Sequence, residues 1–196
     1  MKHALTILLL VLFSLPLNAS AEDVCPEFVN MVRVISENGK TSKELGMEKA
    51  VAKQKKKGIY RGYDQSVRLE DPNAKVDVKP SQSFAFKPFN AEIHPAQQIK
   101  LYPFNTKKDY RELAVGGTNM WGGSKNKKSA DNSIDLTFSK ISDGCYKVTP
   151  EVTLPKGEYA FSLGSVGLGS SADVKGTKAG WGSSVEGQVW FGFSIK

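Results

Sequence analysis

The chain has 196 residues, of which 27 are Lys or Arg and 20 are Asp or Glu, so its formal net charge at pH 7 is +7. This length is typical of one domain with a single core, and the basic charge favours anionic surroundings such as envelope polymers, phospholipid headgroups or nucleic acid. Residues 22–196 contain one histidine and two cysteines, and if the cysteines pair with each other they leave too few ligands for a typical zinc site.

The first 21 residues have the three parts of a secretory signal peptide. Lys2 gives a positive start, residues 4–15 form an apolar core, and Ala19 and Ala21 are the small residues before a cleavage site. We expect the mature chain to begin at Glu22, to carry +6 once Lys2 is removed, and to be periplasmic or secreted. The apolar core is shorter than the roughly 20 residues of a membrane-spanning helix, so no membrane span is expected. Nucleic acid is excluded as a partner because an exported protein seldom meets it.

The chain has only two cysteines, Cys25 and Cys145. Export places them in an oxidising compartment, where two thiols usually pair, so the sequence predicts a disulfide between them. The closed loop would contain most of the mature chain, for which chain-entropy arguments give a stabilisation of roughly 4–5 kcal/mol. Two unpaired thiols are the alternative, because geometry can forbid the bond.

Residues 22–57 are predicted to be an N-terminal segment that is partly helical. Phe28, Met31, Val32 and Ile35 have the i, i+3, i+4, i+7 spacing of one helix face. Residues 29–35 also alternate as a strand would, but the helix is the preferred interpretation.

A second, highly charged helix is predicted to follow. Thr41 and Glu44 have the spacing of a capping box, and Gly58 would end the helix. The apolar face, formed by Leu45, Met47 and Val51, is thin, so tertiary contacts would have to hold such a helix in place.

Residues 58–196 are predicted to form a β-sandwich domain, because the apolar period changes to that of short strands bounded by Gly, Pro, Asn or Asp. Many short strands at this spacing indicate an antiparallel sandwich or barrel. The predicted fold class is therefore mainly β, an antiparallel β-sandwich with one or two short N-terminal helices. The predicted strands lie near residues 60–69, 76–78, 83–89, 98–104, 110–115, 134–138, 145–149, 159–163 and 189–195.

Two long glycine-rich stretches, residues 116–132 and 164–187, interrupt the strands, and loops of this length tend to be functional or disordered. A tryptophan beside lysines offers a flat apolar face for stacking and a rim for anions; the alternatives are a core plug and a contact with a partner chain. The predicted binding residues are Trp121, Trp181, Lys125, Lys127 and Lys128.

No catalytic or cofactor-binding group is predicted. His94 is the single histidine of the mature chain, and a serine–histidine nucleophile system would have to use it as the base. No serine, however, lies in a nucleophile motif. Residues 167–172 match a dinucleotide fingerprint, but a helix must follow such a motif and none is indicated. Of the glutamates near the later strands, Glu158 is expected to serve a turn and Glu112 to pair with Arg111 or a lysine.

Four motifs in the second half of the chain recur in one order. They are residues 107–113 (KKDYREL), 146–150 (YKVTP), 154–161 (LPKGEYAF) and 190–193 (WFGF). Together they resemble a family of uncharacterised bacterial exported β-domains with a "PGEYAF … FGF/FDFG" C-terminal pattern. The resemblance covers roughly residues 58–196, and the chain departs from the pattern at Lys156 and in the longer 164–187 stretch. It implies export and a β fold, and it implies no reaction.

The function expected from these features is that of an exported, non-enzymatic binding or interaction module. Its ligand would be an anionic envelope polymer, an anionic host component or a protein partner. Two alternatives come from other classes. One is a hydrolase that acts on envelope or host polymers, and the other is a secreted host-directed factor that uses its N-terminal segment to bind a partner.

Overall fold

The computed structural model describes residues 24–37, 39, 41–56, 63–118, 124–125, 132–164 and 188–196. The predicted signal peptide lies outside these residues. They form 14 strands and a single 3-10 turn at Pro95–Gln97. The strands are β1 (Met31–Ile35), β2 (Thr41–Glu44), β3 (Met47–Glu48), β4 (Ala50–Lys56), β5 (Tyr63–Glu70), β6 (Asp77–Val78), β7 (Ser83–Lys87), β8 (Ile99–Thr106), β9 (Tyr110–Thr118), β10 (Ser124–Lys125), β11 (Leu136–Ser142), β12 (Cys145–Pro150), β13 (Gly157–Leu163) and β14 (Val189–Ile195).

The strands build two sheets, which confirms the predicted mainly β, sandwich-like fold. The first sheet has five strands in the order β11-β12-β7-β1-β2, and the second has nine, ordered β3-β14-β13-β8-β9-β5-β4 with β10 beside β9 and β6 beside β14. The strands pair antiparallel apart from β6, which runs parallel to β14. Short connections suit antiparallel pairing, since neighbouring strands can be joined by tight turns.

The first predicted helix is wrong, because the residues concerned form β1. Val32 and Val34 are buried while Met31, Arg33 and Ile35 face the other way, which is the period of two and not of 3.6. β1 pairs along its whole length with β7. The stretch is rich in β-branched residues, and an available partner strand decided between two patterns that the local sequence left open.

The second predicted helix is also wrong. Thr41–Glu44 forms β2 beside β1, and Ala50–Lys56 forms β4 beside β5. Leu45, which follows β2 along the chain, is buried, but Met47 is exposed and Val51 is half-buried. The three residues therefore do not share one buried helix face. Tertiary pairing outweighed the helix propensity of the charged residues, as it often does in short segments.

The main core lies between the two sheets. The five-stranded sheet contributes Val32, Phe84 and Phe86, and the nine-stranded sheet contributes Phe161 and Phe193, all with no exposed surface. Because a sandwich core is built from the inner faces of both sheets, the alternating apolar residues of the sequence are accounted for by this layer.

The nine-stranded sheet also curls, in the manner of a half-barrel, around a second buried cluster. β3 and β4 stand at opposite ends of the strand order, yet only Lys49 separates them along the chain. One stretch of chain therefore lies at both ends of the curl. The buried residues inside are Ala50, Val67, Leu69, Tyr102, Phe104, Leu113, Val115, Ala160 and Trp190. Strands β13 and β14 are consequently buried on both faces.

The predicted pairing of Cys25 with Cys145 is confirmed in its geometry. The two Sγ atoms are 2.09 Å apart and the two Cα atoms 6.1 Å apart, which is the spacing of a disulfide. The bond joins the segment before β1 to the first residue of β12. Since β7 lies between β1 and β12 in the sheet, this disulfide links the segment before β1 to a strand with which β1 does not pair.

Candidate functional site

A cleft of about 310 Å³ opens beside the first residues of β8, where the two sheets separate. Its lining combines apolar side chains with one ammonium group, one hydroxyl and two carboxylates. We call this feature the β8–β11 cleft. Its lining residues are Ala96, Ile99, Lys100, Ser133, Ile134, Asp135, Leu136, Phe138 and Glu151. Small-molecule sites combine apolar side chains with a few converging polar groups, and this volume is near the lower end of the range for such sites.

The cleft arises because one short segment contacts both sheets in turn. The Ile134 N–H donates to the Leu101 carbonyl at 2.8 Å, which bridges this segment to β8 of the nine-stranded sheet. Two residues later Leu136 is opposite Pro150, as the first pair of β11 and β12 in the five-stranded sheet. The chain thus diverges from β8 at Ile134, and the wedge between them forms the cleft.

Two acidic residues of the lining are neighbours. The Glu151 N–H donates to the Asp135 carbonyl at 3.0 Å, which continues the β11–β12 pairing by one step. Lys100 is half-buried on β8. The lining of the cleft therefore combines one positively charged residue on β8 with two acidic residues that are neighbours across the β11–β12 pairing.

One glycine-rich stretch ends next to a lining residue of this cleft, and the other begins near one. Ser133, the residue directly after the first stretch, lines the cleft. Before the second stretch, Leu163 is opposite Ile99, and the Gly164 N–H donates to the Gln98 carbonyl at 2.9 Å. The last residues of β13 and the first residues of β8 are therefore neighbours at the cleft.

Most of the predicted binding residues lie outside the described residues. This applies to Trp121, Lys127, Lys128 and Trp181, and also to the dinucleotide-like motif at 167–172. Lys125 is in β10, where its backbone is opposite Gly117 of β9. Their predicted role in binding stays a prediction.

A second polar site lies inside the curled sheet and is centred on Arg111, which is 1% exposed. Its guanidinium is in contact with the Glu48 carboxylate, and its Nε donates to the Asp71 carbonyl at 3.1 Å. Arg111 Nη1 is 3.7 Å from Glu158 Oε2, and the same oxygen accepts from the Ala74 N–H at 2.8 Å. Two carboxylates and a carbonyl therefore surround one buried cation.

Burial raises the pKa of Glu48 above its usual value, although the neighbouring Arg111 opposes this shift. Gly192 of β14 lies directly below the pair, since a Cβ atom there would be 2.1 Å from Glu48 Oε1 and 2.7 Å from Arg111 Nη1. A side chain at this position would displace the ion pair. The arrangement is that of a buried ion pair which joins β3, β9, β13 and the 71–74 turn.

The sequence predictions for individual charged residues are partly corrected by these contacts. Glu112 was expected to pair with Arg111 or a lysine, but its Oε1 accepts from Arg68 Nε at 2.9 Å and from Ser66 Oγ at 2.8 Å. Arg111 and Glu112 are adjacent on β9 and so point to opposite faces of the sheet. Glu158 follows a turn as expected, but its carboxylate contacts Arg111 and accepts from the Ala74 N–H inside the curl.

His94 lies in a turn, as the sequence predicts. Its Nδ1 accepts from the Ala96 N–H at 3.2 Å at the start of the 3-10 turn. Its ring makes an edge contact with the Phe138 ring, with the two ring centroids 5.9 Å apart. Across the described ranges, no group of three or more His, Cys, Asp or Glu side chains is arranged to hold a metal ion.

The fold and the β8–β11 cleft define a class, that of a disulfide-linked β protein with two sheets and a small cleft of mixed polar and apolar lining. No protein-family model, curated protein or solved structure matches the chain. In the part of the chain that the structure describes, no helix is long and apolar enough to cross a membrane.

Proposed function

We propose that this protein is an exported, non-enzymatic binding module whose ligand surface is formed by the β8–β11 cleft and the two glycine-rich stretches. The observation that carries the proposal is the proximity of both stretches to one cleft: Ser133, directly after the first stretch, lines the cleft, and Gly164, at the start of the second, is hydrogen-bonded to Gln98, which precedes the lining residue Ile99. Long loops that a rigid β scaffold brings together are a common way to build a binding surface.

Export is supported by two independent features. The first 21 residues have the composition of a signal peptide, and the Cys25–Cys145 bond is of the kind that persists in oxidising compartments. The mature chain would be periplasmic or secreted and would carry +6.

The ligand class we propose is an anionic polymer of the cell envelope or of a host. Lys125, Lys127 and Lys128 would contact its anionic groups, while Trp121 and Trp181 would stack on its uncharged rings. The apolar side chains of the cleft would contact an uncharged part of the ligand. The lining carboxylates Asp135 and Glu151 would repel an anionic group that entered the cleft itself, so the charged contacts are assigned to the loops.

A test compares two triple variants of the mature protein that lower the net charge equally. The first replaces Lys125, Lys127 and Lys128 by Gln, and the matched control replaces Lys53, Lys55 and Lys147, which are exposed elsewhere. Binding to immobilised lipopolysaccharide and to heparan sulfate is measured by calorimetry at two salt concentrations. We expect the loop variant to bind at least roughly tenfold more weakly than the control, with a smaller dependence on salt.

The double variant Trp121→Ala/Trp181→Ala completes the test. Equal weakening in the loop and control triple variants, or unchanged binding in the tryptophan variant, would remove the glycine-rich stretches as the binding surface. Release of soluble fragments from either polymer would instead favour the hydrolase, with Asp135 and Glu151 as the carboxylates to replace first.

A further inference from the structure

His94 is the only histidine in residues 22–196, and its side chain caps the 3-10 turn Pro95–Gln97. Its Nδ1 accepts from the Ala96 N–H at 3.2 Å. Its backbone is extended, with φ −53° and ψ 131°, which suits both a capping residue and a residue before proline. The sequence His-Pro therefore places an imidazole nitrogen at the start of this turn, where a hydroxyl or carboxylate oxygen is more usual.

The turn that His94 caps contributes to the β8–β11 cleft, because Ala96 is one of the lining residues. Two backbone hydrogen bonds also hold the turn. The Gln97 N–H donates to the His94 carbonyl and the Gln98 N–H donates to the Pro95 carbonyl, both at 2.9 Å. β8 begins directly after Gln98, so a change in the turn alters the lining of the cleft where this strand begins.

The ring of His94 contacts a second lining residue. It meets the Phe138 ring edge-on, with an interplanar angle of 77°. Phe138 is on β11 and lines the cleft. His94 thus joins two lining residues from separate segments, Ala96 through a hydrogen bond and Phe138 through a ring contact.

Protonation changes what this imidazole can bind. In the neutral ring one nitrogen donates and the other accepts, whereas in the imidazolium ion both nitrogens donate. Protonated His94 therefore cannot accept from the Ala96 N–H, and the cap is lost. Histidine side chains change charge between about pH 5 and about pH 8, and an exported protein is exposed to the pH of its surroundings.

Charged residues lie on the loop of His94 and on the elements packed against it. They are Glu92, Lys100, Asp135, Lys140 and Glu151. Lys140 is paired with Asp143, and in the part of the chain that the structure describes His94 has no ion-pair partner. The capping hydrogen bond is therefore the polar side-chain contact that protonation of His94 removes.

We propose that His94 is a pH-sensitive cap, whose protonation releases the Pro95–Gln97 turn and lowers the affinity of the β8–β11 cleft for its ligand. The effect on affinity rests on the proposed function, whereas the change in the turn does not depend on it. The two backbone hydrogen bonds remain, so the effect is moderate. Its sign is distinctive, because simple attraction between an imidazolium ion and an anionic polymer would raise the affinity at acidic pH.

Two variants of the mature chain, with its disulfide intact, hold the cap in fixed states. His94→Asn keeps an acceptor at the capping position and does not titrate. His94→Lys lacks the acceptor and stays charged, so it matches the protonated state. Nuclear magnetic resonance at about pH 7.5 and about pH 5 gives the protection factor of the Ala96 amide against hydrogen exchange. Calorimetry at the same pH values gives the Kd for heparan sulfate, whose sulfate groups stay ionised at both.

In the parent chain we expect the Ala96 protection factor to fall roughly fivefold at the lower pH and the affinity to fall roughly threefold. Neither should change in His94→Asn, and both should be low at the two pH values in His94→Lys. A constant protection factor in the parent, or an equal fall in His94→Asn, would overturn the cap while leaving the proposed function intact. A rise in affinity at acidic pH would overturn the link to the cleft. Absence of binding at both pH values, with Ala96 still titrating, would remove the effect on affinity together with the proposed function.

Discussion

The two interiors of this protein are built on different principles. Between the sheets, Phe84, Phe161 and Phe193 form a closed group, with ring centroids 4.8 Å apart for Phe84–Phe161, 5.0 Å for Phe84–Phe193 and 5.6 Å for Phe161–Phe193. These side chains have no polar atoms, so this interior requires only correct volume and shape.

The interior of the curled sheet contains polar groups among its apolar residues. Arg111 is buried there with its two glutamate partners, and burial raises the pKa of Tyr102 to about 12. The Ser162 hydroxyl and the Trp190 indole N–H, which are opposite each other on β13 and β14, have no hydrogen-bond partner among the described residues. Polar groups in such a place cost free energy unless they are paired.

The comparison indicates what each interior does for the fold. The core between the sheets stabilises the fold mainly through the burial of apolar side chains. The charged group of the curl supplies little net energy, since desolvation offsets attraction in a buried ion pair. It does require β3, β9 and β13 to meet in one register, and so it specifies how the curl closes.

The largest effect is expected in the core between the sheets. Phe193→Ala should lower the free energy of unfolding by about 3–5 kcal/mol, because it removes apolar contacts and leaves a cavity between the sheets. The same change at Phe89, which is 76% exposed, should cost less than about 0.5 kcal/mol. Urea unfolding of both variants measures the difference, and comparable losses would contradict the assignment of this core.

A smaller effect is expected inside the curl. Gly192→Ala places a methyl group where Glu48 and Arg111 meet, so the ion pair must separate and Arg111 loses part of its neutralisation. We expect a loss of about 1–3 kcal/mol in the free energy of unfolding. The control is Gly46→Ala, where a Cβ atom would have no neighbour within 4 Å. If the two variants were equally stable, the ion pair would not constrain the curl.

Much of the fold could be predicted from the sequence, because alternation is a local signal. The strands expected near 83–89, 145–149 and 189–195 are found at Ser83–Lys87, Cys145–Pro150 and Val189–Ile195. The disulfide followed from a different argument, since export and a count of two left a single possible pair. The stretch that forms β1 was harder, because it has both the helical and the strand period, and pairing with β7 decided between them.

The candidate site could not be predicted, because no local pattern connects its parts. Lys100, Asp135 and Glu151 come from three separate segments, and only the Ile134–Leu101 bridge and the end of the β11–β12 pairing bring them together. The same holds for Arg111 and Glu48, which are 63 residues apart. Loop composition is a weaker guide, since it shows only that glycine-rich stretches leave the sheets where strands end.

The smallest effect separates Glu48 from Glu112 by the sign of their pH dependence. Burial raises the pKa of Glu48 more than Arg111 lowers it. The pKa in the folded state is then above the unfolded value, so the contribution of Glu48 to stability is fully present below that value and is lost as pH rises through the folded pKa. For Glu112, burial acts in the same direction, but the hydrogen bonds from Ser66 and Arg68 outweigh it and lower the pKa. Its contribution is present above the unfolded value and is lost as pH falls.

Urea unfolding of Glu48→Gln, Glu112→Gln and the parent from about pH 3 to about pH 7 tests these signs. As pH rises through this range, the stability of the parent relative to Glu48→Gln should fall, while its stability relative to Glu112→Gln should rise. The opposite slopes follow from location, because one carboxylate is enclosed inside the curl and the other is held by hydrogen bonds on its outer face. Two slopes of the same sign would mean that Arg111 compensates the burial of Glu48 fully. The inside of the curl would then be electrostatically equivalent to its outer surface.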